Sequence, residues 1–292
     1  MQQVQEKVES AAAEDVGNII GLEHVNVTVT DQTLASLFYL SALGMTRDPY
    51  MMVSGRNMWV NVGDQQFHLP TRPEAQVIPG HIALVVTDLA ALQERLKAAE
   101  EELKGTRFSW RAENGHVVAT CPWGNQFRCY APGAEFGTMT LGLPYVEFLV
   151  KPGAAAGIAR FYHQVLGAPS EVSKGKDGDV ARVHIGIHQA LVFRETRQQL
   201  PPYDGHHVQV YVANFSGPYH FFKERGIIME EMARHQFRFK EIVDPKTGEK
   251  LHTLEHEVRS LRHAMYMRPL VNRDPTQNIR AYVRGKDAVA TR

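Results

Sequence analysis

The sequence predicts an α+β protein assembled from four βαβββ units, and three observations carry that expectation. A strand opened by histidine recurs, as Leu22-Glu23-His24-Val25-Asn26-Val27, as Gly80-His81-Ile82-Ala83-Leu84-Val85, and as Gly205-His206-His207-Val208-Gln209-Val210. In each, alternate side chains of an apolar run point to opposite faces. Helical patterns follow these strands, and further short strand patterns separated by Gly-rich turns follow the helices. Finally, the string Phe-Tyr-x3-Leu-Gly at Phe38, Tyr39, Leu43 and Gly44 returns at Phe161, Tyr162, Leu166 and Gly167, a constant offset of 123 residues. Four matches at one offset mark an internal duplication.

Each element has a local reason. In unit one, Gly21 to Thr30 alternates as a strand. Asp31 is placed to cap the run Leu34 to Leu43, which Gly44 closes. Strands are expected near Arg47 to Met52, Asn57 to Val62 and Gln65 to Leu69, with turns at Ser54-Gly55 and Gly63-Asp64. The break Pro79-Gly80 restarts the pattern. Unit two has a strand over Ile82 to Thr87, an Asp88-capped helix from Leu89 to about Lys104, and strands near Phe108 to Arg111, Val117 to Thr120 and Gln126 to Tyr130. Unit three opens at Leu143 to Val150, and its helix contains Arg160 to Gly167. Unit four runs from His207 to Val212 through a helix at Tyr219 to Gly226, to strands around the turn Asp244 to Gly248; the last is Leu251 to Val258. These units divide the chain into a polar lead (1–20, with a frayed helix through Ala13), a first module (21–138), a second module (139–270) and a basic tail (271–292).

Composition narrows the class of partner. With 292 residues, of which 43% are hydrophobic, the chain is long enough for a sizeable core. Its 32 basic residues balance 32 acidic ones, so net charge points to neither nucleic acid nor an anionic membrane. A small molecule is the expected ligand. The two cysteines, Cys121 and Cys129, fit neither a zinc pair nor a disulfide framework, and the first residues lack a secretory signal. The expected compartment is the cytoplasm. Homo-oligomerisation is left open.

Four βαβββ units, histidines opening strands, the Phe-Tyr-x3-Leu-Gly helix end and the Pro122-Trp123-Gly124-Asn125 turn before a final strand resemble the vicinal oxygen chelate superfamily. That group contains glyoxalase I, bleomycin-resistance proteins and ring-cleaving dioxygenases. The resemblance spans roughly residues 21 to 258 and implies cupped sheets holding a divalent metal on first- and fourth-strand ligands. The first-strand positions are His24, His81, Tyr145 and His207. Fourth-strand candidates are His68 in unit one, Arg128 in unit two, Leu191 or a neighbour in unit three, and Glu255 ahead of Glu257 in unit four.

If units pair in chain order, the C-terminal cup has His207 and Glu255 but Tyr145 in place of a histidine. If unit one pairs with unit four, His24, His207 and Glu255 complete a two-histidine, one-carboxylate set, the arrangement suited to Fe(II) and oxygen chemistry. The second pairing is preferred here. His81, His68 and Glu257 form the reserve set. His206 and His256 are the acid–base candidates, and Tyr145, Phe148 and Tyr211 the candidate walls for a substrate ring. The resulting expectation is an Fe(II)- or Mn(II)-dependent ring-cleaving dioxygenase acting with dioxygen on a small aromatic diol. Two alternatives stay open: a glyoxalase-like isomerase or lyase, and a metal-free cup that binds a planar ligand.

Overall fold

The computed structural model describes residues 15–51 and 56–272. The lead through Ala13, the end of the expected strand at Met52, the Ser54-Gly55 turn and the tail beyond Asn272 lie outside them. Unit one comprises β1 (Ile19–Asn26), α1 (Gln32–Ala35, continuing as a π-helix over Ser36–Ala42), β2 (Thr46–Arg47), β3 (Asn57–Val62) and β4 (Gln65–Pro70). Unit two comprises β5 (Gly80–Val85), α2 (Leu89–Ala98), β6 (Ser109–Glu113), β7 (His116–Thr120) and β8 (Gln126–Tyr130). Unit three has β9 (Tyr145–Val150), α3 (Ala155–Leu166), β10 (Ser170–Lys174), β11 (Asp179–His184) and β12 (Ala190–Glu195). Unit four has β13 (His207–Val212), α4 (Ser216–Glu224), β14 (Ile228–Ala233), β15 (Gln236–Val243) and β16 (Lys250–Ser260). All four units are therefore βαβββ. The helix expected to reach Lys104 stops at Ala98 and continues as turns.

The helix ends follow local chemistry. Asp31 accepts hydrogen bonds from the Thr33 and Leu34 N–H groups at 2.7 and 2.9 Å, and Asp88 accepts from Ala91 N–H at 3.0 Å. Gly44 and Gly167 close the duplicated helices at φ 75° and 62°, conformations that glycine adopts without the clash of a Cβ. The carbonyls of Tyr39 and Tyr162 accept the N–H groups of Met45 and Ala168 at 3.1 and 3.0 Å. The same sequence string therefore makes the same helix stop twice.

Two eight-stranded sheets result, in the orders β14-β15-β16-β13-β1-β4-β3-β2 and β10-β11-β12-β9-β5-β8-β7-β6. Antiparallel pairing of β1 with β13 joins unit one to unit four, and β5 with β9 joins unit two to unit three. Each half of the chain thus gives one unit to each sheet. Helices pair the other way. The α1 ring Phe38 meets Phe127 of unit two at 5.3 Å, while Phe161 of α3 meets Phe222 and Phe239 of unit four at 6.0 and 5.9 Å. Sheet pairing and helix packing therefore lock the halves together across one continuous apolar core.

A histidine, His256, lies within that core. His256 is fully buried, stacked on Phe239 at 4.5 Å, with Nδ1–H donating to the Leu254 carbonyl at 2.7 Å and Nε2 accepting from Tyr162 O–H at 2.6 Å. Burial holds its pKa down to about 3. The unfolded chain takes up this proton first as pH falls. The contribution of neutral His256 is thus intact above about pH 6.5 and is lost progressively towards pH 3. Urea melts from pH 7.5 to 4.5 should show stability falling below pH 6.5, and His256→Leu should flatten that fall. Phe161→Ala, which empties a fully buried ring site between α3 and α4, is expected to cost about 3–5 kcal/mol in the same melts.

Candidate metal centre

The outer face of the β1–β13–β16 sheet gathers polar side chains by alternation alone. His24 faces Gln209 and Asn26 faces His207 across β1–β13, while His207 lies beside Glu255 and Gln209 beside Glu257 across β13–β16. The intervening Val25, Val208, Val210, His256 and Val258 point into the core and are buried. One irregularity adds a residue to the outer face. Between Leu22 and His24 the register shifts, leaving Glu23 as an extra residue opposite Val210 and Gln209.

Glu23 uses that position to orient His24. Its Oε2 accepts His24 Nδ1–H at 3.1 Å and an Arg259 N–H at 2.6 Å, and its Oε1 accepts Tyr211 O–H at 3.1 Å. With the proton on Nδ1, the Nε2 lone pair of His24 is free. Neither that atom nor Nε2 of His207 has a hydrogen-bond partner, although the two residues are 1% and 7% exposed. Burial holds the His24 pKa down to about 3 and lowers that of His207, so both rings are neutral at pH 7.

One nitrogen from each ring and one Glu257 oxygen lie within 4.8 Å of one another, all three residues being buried. Among the described residues no other trio of such side chains converges as closely. Orphaned neutral imidazole nitrogens beside a carboxylate suit a divalent cation, and three ligands leave positions open. Ligands of one ion stand about 3–4 Å apart, and His207 Nε2 is 3.9 Å from Glu257 Oε2. The set fits with modest contraction. Glu257 is also paired with Arg238 and, at 2.5 Å, with Arg259. An incoming cation therefore competes with guanidinium for this carboxylate.

Strand register explains why Glu257, and not Glu255, completes the trio. Asn26 pairs with His68, Ala83 with Arg128, Glu147 with Val192 and Gln209 with Glu257, so these four fourth-strand residues occupy equivalent positions. The expected positions at His68, at Arg128 and, in unit three, at the neighbour of Leu191, Val192, lie in this register, whereas Glu255 is two residues short of it. The position of Glu255 along the strand is no guide to its pairing, because β16 is 11 residues long and the β15–β16 ladder contains two irregularities. Glu255 instead accepts an Arg238 N–H at 2.8 Å and lies 3.7 Å from His207 Nδ1; burial raises its pKa.

The remaining candidates separate. His68 faces the same cup, stacked on Trp59 at 4.0 Å with its ring 6.0 Å from that of His24. His81 lies in the second sheet, where its Nε2 meets the Tyr145 hydroxyl at 3.1 Å and its Nδ1 lies 3.3 Å from Glu147. With Tyr145, Arg128 and Val192 at the equivalent positions, no ligand trio converges there among the described residues. Phe148 is a fully buried core residue. His206 lies on the core side, bonded to Asp204 at 2.6 Å and stacked on Phe148 at 6.0 Å. Neither His206 nor His256 shares the face of the trio. Of the three expected ring-wall residues, Tyr211 alone stands beside it, packed at 4.9 Å against Tyr266 from the segment after β16. That segment continues across the sheet to unit one, where Arg268 pairs with Asp48 at 2.6 Å. Glu23, Asn26, Gln209 and Arg238 were not singled out from the sequence. The one signal for Asn26 and Gln209 is a carboxamide two residues after each histidine.

No family model and no curated protein matches the sequence. Solved structures do match in fold. Glyoxalase I from Zea mays superimposes with a TM-score of 0.53 at 16% identity over 84% of this chain and 92% of that one. A "putative dioxygenase" from Bacillus subtilis gives 0.53 at 14% identity over 83% and 86%. No helix among the described residues is long and apolar enough to cross a membrane. Four βαβββ units arranged in two eight-stranded mixed sheets, together with these likenesses, give the chain the fold of the vicinal oxygen chelate superfamily.

Proposed function

We propose that this protein is a metal-dependent ring-cleaving dioxygenase acting on a small aromatic diol, with His24, His207 and Glu257 as the residues that hold the metal. One observation carries the reading: two buried, neutral imidazole nitrogens without partners converge with one carboxylate. A bound Fe(II) or Mn(II) would supply open coordination positions at which the diol and dioxygen come together. Around it, the chain's own groups have distinct tasks. Glu23 fixes the His24 tautomer, and Arg259 ties Glu23 to Glu257. Tyr211 walls the cup. Glu255, with its raised pKa, is the carboxyl group placed to hold or accept a proton at its oxygen beside His207.

A second reading, a metal-free binding cup, is favoured by the pairing of Glu257 with two arginines. Metal analysis separates the two. Protein prepared with iron and manganese supplied is expected to retain about one ion per chain. His207→Ala and Glu257→Gln should weaken retention at least about 100-fold, and Glu255→Gln should not. Arg238→Gln, which removes the competing guanidinium, should tighten it about tenfold. Retention of neither metal by the parent protein overturns the metal-dependent reading. Oxygen-electrode assays with a panel of catechols and hydroquinones test the chemistry: stoichiometric uptake is expected, and no uptake by the metal-loaded protein overturns dioxygenase activity. Anaerobic turnover of an α-oxo substrate would instead establish isomerase or lyase chemistry.

A further inference from the structure

Gln209 of β13 lies between His24 and Glu257, and its side chain makes no hydrogen bond within the fold. It is the strand neighbour of His24 on one side and of Glu257 on the other. Its side chain is completely buried, yet neither Nε2 nor Oε1 has a hydrogen-bond partner. Other buried glutamines have a partner on at least one end of the amide, although Gln66 Oε1 has none. Gln66 donates from Nε2 to Asp48 at 2.8 Å and to Asn61 at 2.6 Å, and Gln189 bonds the Leu22 N–H and the Leu143 carbonyl at 3.1 Å each. A buried carboxamide missing both its donor and its acceptor bonds destabilises the folded state and needs an explanation. A ligand that completes both bonds provides one.

We propose that Gln209 is a specificity-determining residue that reads a pair of adjacent oxygens on the ligand, its Nε2–H donating to an ionised oxygen and its Oε1 accepting from a neighbouring hydroxyl. This deepens the diol reading above and rests on it. The donor and acceptor of one amide lie side by side, so they match the monoanion of an ortho-diol. The two oxygens of a para-diol stand on opposite sides of the ring and cannot both meet one carboxamide. The cup therefore selects catechols over hydroquinones.

Mn(II)-loaded parent protein and Gln209→Met, with Gln209→Leu as a second variant, are titrated with 4-nitrocatechol by absorbance and with hydroquinone by displacement. A parallel arm uses the chelated proteins. Manganese affinity should stay within about twofold and hydroquinone binding should be unchanged, whereas 4-nitrocatechol should bind about tenfold more weakly to the variants, the worth of one or two hydrogen bonds. Relief of the orphaned amide should also raise the melting temperature of the chelated, ligand-free variants by a few degrees. Equal 4-nitrocatechol affinity in parent and variants, a lowered melting temperature, or failure of both variants to fold overturns the proposal. A parent protein that retains no manganese defeats the metal-dependent reading alone, because the chelated arm still reports whether 4-nitrocatechol binding depends on Gln209. Absence of that dependence, or of any 4-nitrocatechol binding by the parent, overturns the role of Gln209.

Discussion

The pairing of β1 with β13 is the constraint on which the rest of the structure depends. It brings the first unit of the chain beside the last, across more than 180 residues of sequence, and it sets His24 opposite Gln209 and Asn26 opposite His207. The bulge in that ladder adds Glu23 behind His24. Because side chains alternate with a period of two, the same pairing sends Val25 and Val208 into the core. A one-residue slip would exchange the polar cup for a second apolar face. The register that buries these valines is therefore the one that gathers His24, His207 and Glu257 on the opposite face.

Around the trio, charge is organised as a chain of ion pairs: Glu23–Arg259–Glu257–Arg238–Glu255. Buried pairs of this kind add little net stability, since desolvation offsets most of their attraction. Their effect is positional. Arg259 binds a residue of the first unit to one of the fourth, and Arg238 holds both carboxylates of β16 towards the cup. Any cation entering beside Glu257 has to displace guanidinium from that carboxylate.

The second sheet shows what the same architecture becomes without ligands. His81 is retained, but its ring is satisfied by Glu147 and the Tyr145 hydroxyl, which in turn meets Tyr130 at 2.9 Å. Glu147 illustrates the contrast: burial alone would raise its pKa, yet hydrogen bonds from His81 and Arg194 bring it down to about 2. Partnered groups of this kind have nothing left to offer a cation. In the first cup, by contrast, the equivalent nitrogens are buried and unpaired.

The sequence by itself determined the unit plan, because strand alternation, Asp caps and glycine helix stops are set by contacts within a few residues. It also exposed the duplication, and with it the equivalence of His24, His81, Tyr145 and His207. Which units share a sheet was open to it as two pairings, since neither violates any local rule. Only the tertiary structure decided that unit one joins unit four. It also set the register that brings Glu257, rather than Glu255, within reach of both His24 and His207, through irregularities in the β15–β16 ladder that no local residue pattern announces. His206 and His256 show the same limit. Histidine serves a core as well as a site, and the strand face on which each falls, set by register with distant strands, places both away from the cup.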